Sequence, residues 1–412
     1  MIQFEKFSLK NGLKVIVHRD TSTPMAVLNV MYDVGARDED PTRTGFAHLF
    51  EHLMFGGSIN IPNYDGPLQM AGGENNAYTT NDITNYYIQL PAENLETAFW
   101  LESDRMLSLA FGEKSLDTQR KVVSEEFKEH YLNKPYGDVW HKMRELAYKV
   151  HPYRWMTIGK ELSHIENAKL EDVKLFFFKH YRPVNAILVV AGNVTTQKVK
   201  ELSEKWFGDI SSGEKYIRNL PIEPVQTEVR KMEVKADVPL DAFYKCWHIY
   251  NRLDHRYYIA ALITEVLSGG GSSRLFQSMV KEKKLFSAID CYHSGSLDAG
   301  TLVIEGKLVK GVKMEHAEKA VEEEIEKMRT EKISVKELQK VKNKVESSIA
   351  FEDMSLMNRA ASLAYYELLG DAAWMNDELE KYNLITPEEI QQECKVIFRP
   401  ENSNTLYYYS KN

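Results

Sequence analysis

The chain has 412 residues, too many for one ordinary core, so two or more domains are expected. Its 43% hydrophobic and 27% charged residues match an ordinary globular protein, with no low-complexity tract to suggest disorder. A formal net charge of −8 argues against a general nucleic-acid binder, which needs a basic face to displace counterions. No window approaches the roughly 18 apolar residues of a membrane span.

The start, Met1-Ile2-Gln3-Phe4-Glu5-Lys6, has no apolar run behind a basic segment. A cytoplasmic location is the expectation, or a periplasmic one if a signal peptide has been removed. Cys246, Cys291 and Cys394 are far apart and odd in number, which fits neither a disulfide framework nor a thiolate metal site. Any bound metal should therefore take nitrogen and oxygen ligands.

In chain order, residues 4–9 and 13–17 around Lys10-Asn11-Gly12 read as a hairpin, and 25–34 as a further strand. A helix is expected over 44–55, stopped by Gly56-Gly57. Residues 77–90 read as one strand, punctuated by Thr79, Thr80 and Thr84. Helical patterns follow at 95–109, 115–132, 140–150 and 170–180, then a buried strand at 186–192. Beyond Asp209 comes a polar connection punctuated by Pro221, Pro224 and Pro239. The second half repeats the outline: a strand at 242–250, helices at 256–267, 274–283, 312–327 and 335–369, and a last strand at 404–409. Two α+β halves, 1–212 and 226–412, suggest a duplicated domain.

The informative segment is Gly45-Phe46-Ala47-His48-Leu49-Phe50-Glu51-His52-Leu53-Met54. At 3.6 residues per turn, His48, Glu51 and His52 share one helix face. Two imidazoles one turn apart can reach one zinc ion, and the adjacent carboxylate can take a proton from water. The remaining positions are apolar, and two histidines with a glutamate are costly in such surroundings without a partner. The order His-x-x-Glu-His is the inverted-zincin signature. A catalytic zinc needs a third protein ligand. Glu125, Glu126, Glu129 and His130, on a predicted helix, are all candidates by chemistry alone.

These motifs resemble the inverted zincins related to mitochondrial processing peptidase, pitrilysin and insulysin, and most of all the short bacterial members. The likeness is carried by residues 45–57, 73–87, 122–126, 151–153 and 181–192, and by Gly269-Gly270-Gly271-Ser272-Ser273-Arg274-Leu275-Phe276. It implies two homologous α+β domains, each a largely antiparallel sheet with packed helices, forming half of a clam-shell chamber. The domain over 226–412 would lack a metal site. The resemblance selects Glu126, the second glutamate of Val122-Val123-Ser124-Glu125-Glu126, as the third zinc ligand, with Glu51 as general base. Gln119 stands where many members carry a supporting glutamate. Asn76, Ala77, Tyr78 and Thr79 match the edge strand on which an extended peptide pairs by strand addition.

Self-sufficient members also supply an arginine and, seven residues later, a tyrosine from the second domain to stabilise the oxyanion. Here those positions hold Lys281 and Ala288. An ammonium replaces a guanidinium fork poorly, and alanine donates nothing. The resemblance thus implies a zinc metalloendopeptidase that works as a heterodimer, the sister subunit lacking the zinc motif and supplying the Arg/Tyr pair. A homodimer in the absence of that partner is compatible with it. The competing class is a non-catalytic scaffold subunit of a larger complex, in which His48, Glu51, His52 and Glu126 would have no purpose.

Overall fold

The computed structural model describes residues 1–411. It contains two mixed sheets with helices packed on them, an α+β architecture built twice. The first sheet is formed by β1 (Glu5–Ser8), β2 (Lys14–Arg19), β3 (Met25–Tyr32), β4 (Glu74–Thr79), β5 (Thr84–Pro91) and β6 (Ala186–Gly192), in the order β1-β2-β6-β3-β5-β4. The second comprises β7 (Arg230–Ala236), β8 (Ala242–His248), β9 (Phe286–His293), β10 (Thr301–Leu308) and β11 (Ser403–Ser410), in the order β7-β11-β8-β10-β9.

Without β1, the two sheets follow one plan. The β2–β6 and β7–β11 pairs are parallel, and every other neighbouring pair is antiparallel. The duplication suggested by the outline of the sequence is thus present strand for strand, with β4 and β9 at corresponding edges.

The chain divides into two compact units that exchange segments. One comprises Met1–Glu129, Trp155–Leu220 and Ala350–Asn376; the other His130–Arg154, Pro221–Ile349 and the residues from Asp377 on. They differ from the halves 1–212 and 226–412 because a helix of each half packs on the other sheet. In the first unit, the Leu356–Leu369 helix lays Ala360, Leu363 and Ala364 on Ile16, Val27, Met31, Val189 and Ala191. In the second, Val139, Met143 and Leu146 of the Val139–Ala147 helix pack on Ala242, Tyr244, Cys246 and Leu406. The opposite face of that sheet, including Phe243, Trp247, Ile289 and Ile304, packs on the His255–Ser268 and Met314–Thr330 helices. Alternation along each strand sends neighbouring side chains into separate cores.

Several expected elements are corrected. Residues 77–90 form a hairpin of β4 and β5, not one strand. The Thr80 hydroxyl accepts the amides of Asp82 and Ile83 at 3.1 and 3.0 Å, which reverses the chain. The pattern at 335–369 is two helices, Val335–Glu352 and Leu356–Leu369, because Ser355 caps the second through the Asn358 amide. The connection beyond Asp209 contains β7, and the periodicity reading also missed β9, β10 and the Thr196–Phe207 helix. The three cysteines are free and buried, and no described helix is long and apolar enough to cross a membrane.

Candidate metal centre

The His-x-x-Glu-His segment lies on the Phe46–Met54 helix. Phe46, Leu49, Phe50, Leu53 and Met54 are buried, and Phe50 sits 4.4 Å from the Tyr181 ring and 5.7 Å from that of Phe177. This packing fixes the helix rotation and leaves His48, Glu51 and His52 on its remaining face. Their side chains are 16, 15 and 25% exposed, accessible to a small ligand but shielded from bulk water.

Both ends of this helix are held by side chains from outside it. Its N-cap is Gly45, at φ +88°, which has no side chain to cap with. Glu39 caps the helix in its place, its two carboxylate oxygens accepting the amides of Gly45 and Ala47, each at 2.8 Å. Burial pushes the Glu39 carboxyl up to about 8, while the Ala47 and Gly45 amides pull it down. At the other end, the Arg105 guanidinium lies 5.7 Å from the Phe55 ring centroid and 4.4 Å from that of Tyr86 on β5. Arg105 is itself neutralised by Glu102, to which its Nε donates at 2.8 Å. The residue reading missed Glu39 and Arg105. A helix starting on glycine was the available signal that its cap comes from elsewhere.

A Cβ on Gly45 would lie 2.6 Å from the Ile158 carbonyl oxygen and 2.5 Å from Ile165 Cδ1, in a left-handed conformation that alanine resists. Gly45→Ala is expected to destabilise the fold by about 2–4 kcal/mol, from strain and overlap together. The midpoint of urea unfolding of the metal-free protein measures it.

The third member comes from the Glu113–Phe127 helix, which packs against the motif helix. Its Glu126 Oε2 lies 3.3 Å from His48 Nε2 and 3.4 Å from His52 Nε2. The two imidazoles, His48 foremost, hold this carboxylate well below the usual range. Of the other candidates, Glu125 is exposed and paired with Lys128, and Glu129 and His130 face solvent. Gln119 lies two turns before Glu126 on the same helix, where it lines a cavity with Phe111, Ser115 and Lys174, apart from the three-residue cluster.

Two imidazole nitrogens and one carboxylate oxygen, all within 4.8 Å of one another, form a donor set that suits zinc. Tetrahedral coordination at about 2.05 Å places ligand atoms about 3.3 Å apart. The distances from Glu126 to the two histidines meet that requirement. Glu51 stands beside the set, its Oε2 3.8 Å from His48 Nδ1.

Strand β4 borders the centre and is an edge of its sheet. Ala77 and Thr79 lie on its half-buried side, and Asn76 and Tyr78 on the exposed side. Thr79 Oγ1 donates to Glu51 Oε2 at 2.5 Å. The Asn76 carboxamide oxygen accepts the amide of Ala77 at 2.8 Å. Of the four residues expected on this strand, Thr79 therefore touches the motif helix, while Asn76 and Ala77 satisfy each other.

Two consecutive family models match the chain. The model for Insulinase (Peptidase family M16) covers residues 14–155, and that for the Peptidase M16 inactive domain covers 167–345. The chain belongs to the M16 peptidase family. This M16 chain is 29% identical over 409 residues to the zinc protease PqqE of Helicobacter pylori (strain ATCC 700392 / 26695), covering 98% of this chain and 92% of PqqE. It is 24% identical to the uncharacterized zinc protease YmxG of Bacillus subtilis (strain 168), covering 99% of each. Its fold matches the crystal structure of a protease from Helicobacter pylori with a TM-score of 0.94 and 28% identity, over 99% of this chain and 100% of that one. The relatives thus support a peptidase, and their names suggest zinc.

Proposed function

We propose that this M16 chain is a zinc metalloendopeptidase that cleaves unfolded or short peptides. The observation carrying this reading is the convergence of two imidazole nitrogens, of His48 and His52, and a Glu126 carboxylate oxygen within 4.8 Å of one another, with the Glu51 carboxylate alongside. His48, His52 and Glu126 would hold the metal. Zinc bound there supplies Lewis-acid polarisation and lowers the pKa of water to about 7.

The other parts of the reaction fall to the protein. Glu51 takes a proton from the attacking water and returns it to the leaving amine. The open edge of β4 receives an extended peptide by main-chain pairing. On docking, the Ala77 amide exchanges the Asn76 oxygen for a peptide carbonyl. A related subunit without the zinc motif supplies the Arg/Tyr pair that Lys281 and Ala288 do not provide.

Zinc content and cleavage test the proposal together. One zinc per chain is expected, lost in His52→Ala. Cleavage of a quenched, unstructured peptide should disappear on chelation and return with added zinc. Peptide cleavage that survives complete metal removal would sink it.

A further inference from the structure

We propose that Thr79 is a positioning residue that fixes the rotamer of Glu51, joining the peptide-binding strand directly to the base. The inference rests on the reading of Glu51 as the base. The Thr79 hydroxyl donates to Glu51 Oε2 at 2.5 Å, within the range of short hydroxyl–carboxylate hydrogen bonds. The same oxygen faces His48 Nδ1 at 3.8 Å. With Oε2 turned towards these two residues, Oε1 is the oxygen presented for proton transfer.

This assignment changes the role expected of Thr79. Side chains alternate along a strand, so Thr79 and Ala77 share the half-buried face of β4 while Asn76 and Tyr78 lie on the exposed one, and Thr79 is the one that reaches Glu51. Thr79 also ends β4, where it pairs with Thr84 across the hairpin. Its backbone is thereby tied into the sheet, and the buried Thr84 donates to the Val34 carbonyl at 3.0 Å. A glutamate side chain has three rotatable torsions, and a base must be oriented before the transition state to contribute fully. A β-branched hydroxyl on a paired strand is a stiff anchor for that purpose. Peptide main chain paired with β4 would lie on the same strand as the group that orients the base.

Two substitutions separate positioning from packing. Thr79→Val keeps the shape and removes the hydroxyl, whereas Thr79→Ser keeps the hydroxyl. In crystal structures of the zinc-loaded full chain, the wild type and Thr79→Ser should show the hydroxyl–Glu51 bond. Thr79→Val should show the carboxylate rotated away from its wild-type position. In peptide cleavage, Thr79→Val should lower kcat about tenfold at unchanged KM, the loss expected for one charge-assisted hydrogen bond, with Thr79→Ser within about twofold of wild type. Zinc affinity by chelator competition should be equal in all three. An unmoved Glu51 carboxylate in Thr79→Val overturns the proposal, as does a raised KM with kcat intact, which would make Thr79 a peptide contact. The crystallographic comparison decides the matter even for a chain that cleaves nothing by itself. The base reading has its own control: a Glu51→Gln variant that still cleaves removes that reading and leaves the rotamer result standing.

Discussion

Glu51→Gln is expected to lower kcat for peptide cleavage by about 10²–10⁴-fold, the span that general acid–base catalysis contributes, with one zinc per chain retained. The physical argument is separation of roles on one helix. His48 and His52 approach Glu126, whereas Glu51 is engaged by Thr79 and only faces His48 Nδ1 at 3.8 Å. Glutamine preserves the size of the side chain and its capacity to accept from Thr79, but cannot take a proton from water. The metal set loses no ligand. Zinc content by elemental analysis and single-turnover cleavage of a quenched peptide check both halves. Loss of zinc with loss of activity would instead make Glu51 part of the metal-binding set. Unchanged activity would transfer the base to another group.

The second large effect concerns the partner. Addition of a related subunit that carries an arginine and, seven residues later, a tyrosine is expected to raise kcat by about 10²–10³-fold, the usual worth of an oxyanion donor. In this chain, Lys281 lies in the Phe276–Glu282 segment with its ammonium 5.4 Å from the Phe276 ring centroid. Ala288 is an exposed residue of β9, paired with Lys307 of β10. Neither can form the bidentate or hydroxyl contact that a developing oxyanion calls for. Titrating the zinc-loaded chain with the candidate subunit, while following cleavage and sedimentation, checks the expectation. Full activity of the isolated chain would remove the need for a partner. A complex that forms without any gain in cleavage would favour the scaffold reading, which leaves the intact histidine–glutamate set without a purpose.

Much of the centre was legible in the residues because its core is local. Helical spacing alone puts His48, Glu51 and His52 on one face, and the apolar residues between them bury the rest of the helix. The buried strand at 186–192 and the terminal strand around Tyr407-Tyr408-Tyr409 were equally plain, being short apolar or aromatic runs between turns. Legibility failed where period and capping competed. The hairpin at β4 and β5 looked like one strand because the Thr80 turn is made of residues that strands also tolerate. β9 alternates imperfectly, as an edge strand with only part of one face buried.

What the sequence determined by itself is therefore the shared helix face of His48, Glu51 and His52 and the duplicated α+β outline. Both follow from spacings of a few residues or from the repeated order of elements. Residue chemistry alone left Glu126 level with Glu125, Glu129 and His130; the resemblance selected it, and the packing of two helices separated in the chain brings it to His48 and His52. Only the tertiary structure decided that Glu39 caps the motif helix, that Thr79 reaches Glu51, and that the helices at Val139–Ala147 and Leu356–Leu369 lie on each other's sheets. Periodicity records which face of an element is apolar, but not which distant surface that face meets; packing across the fold makes that choice.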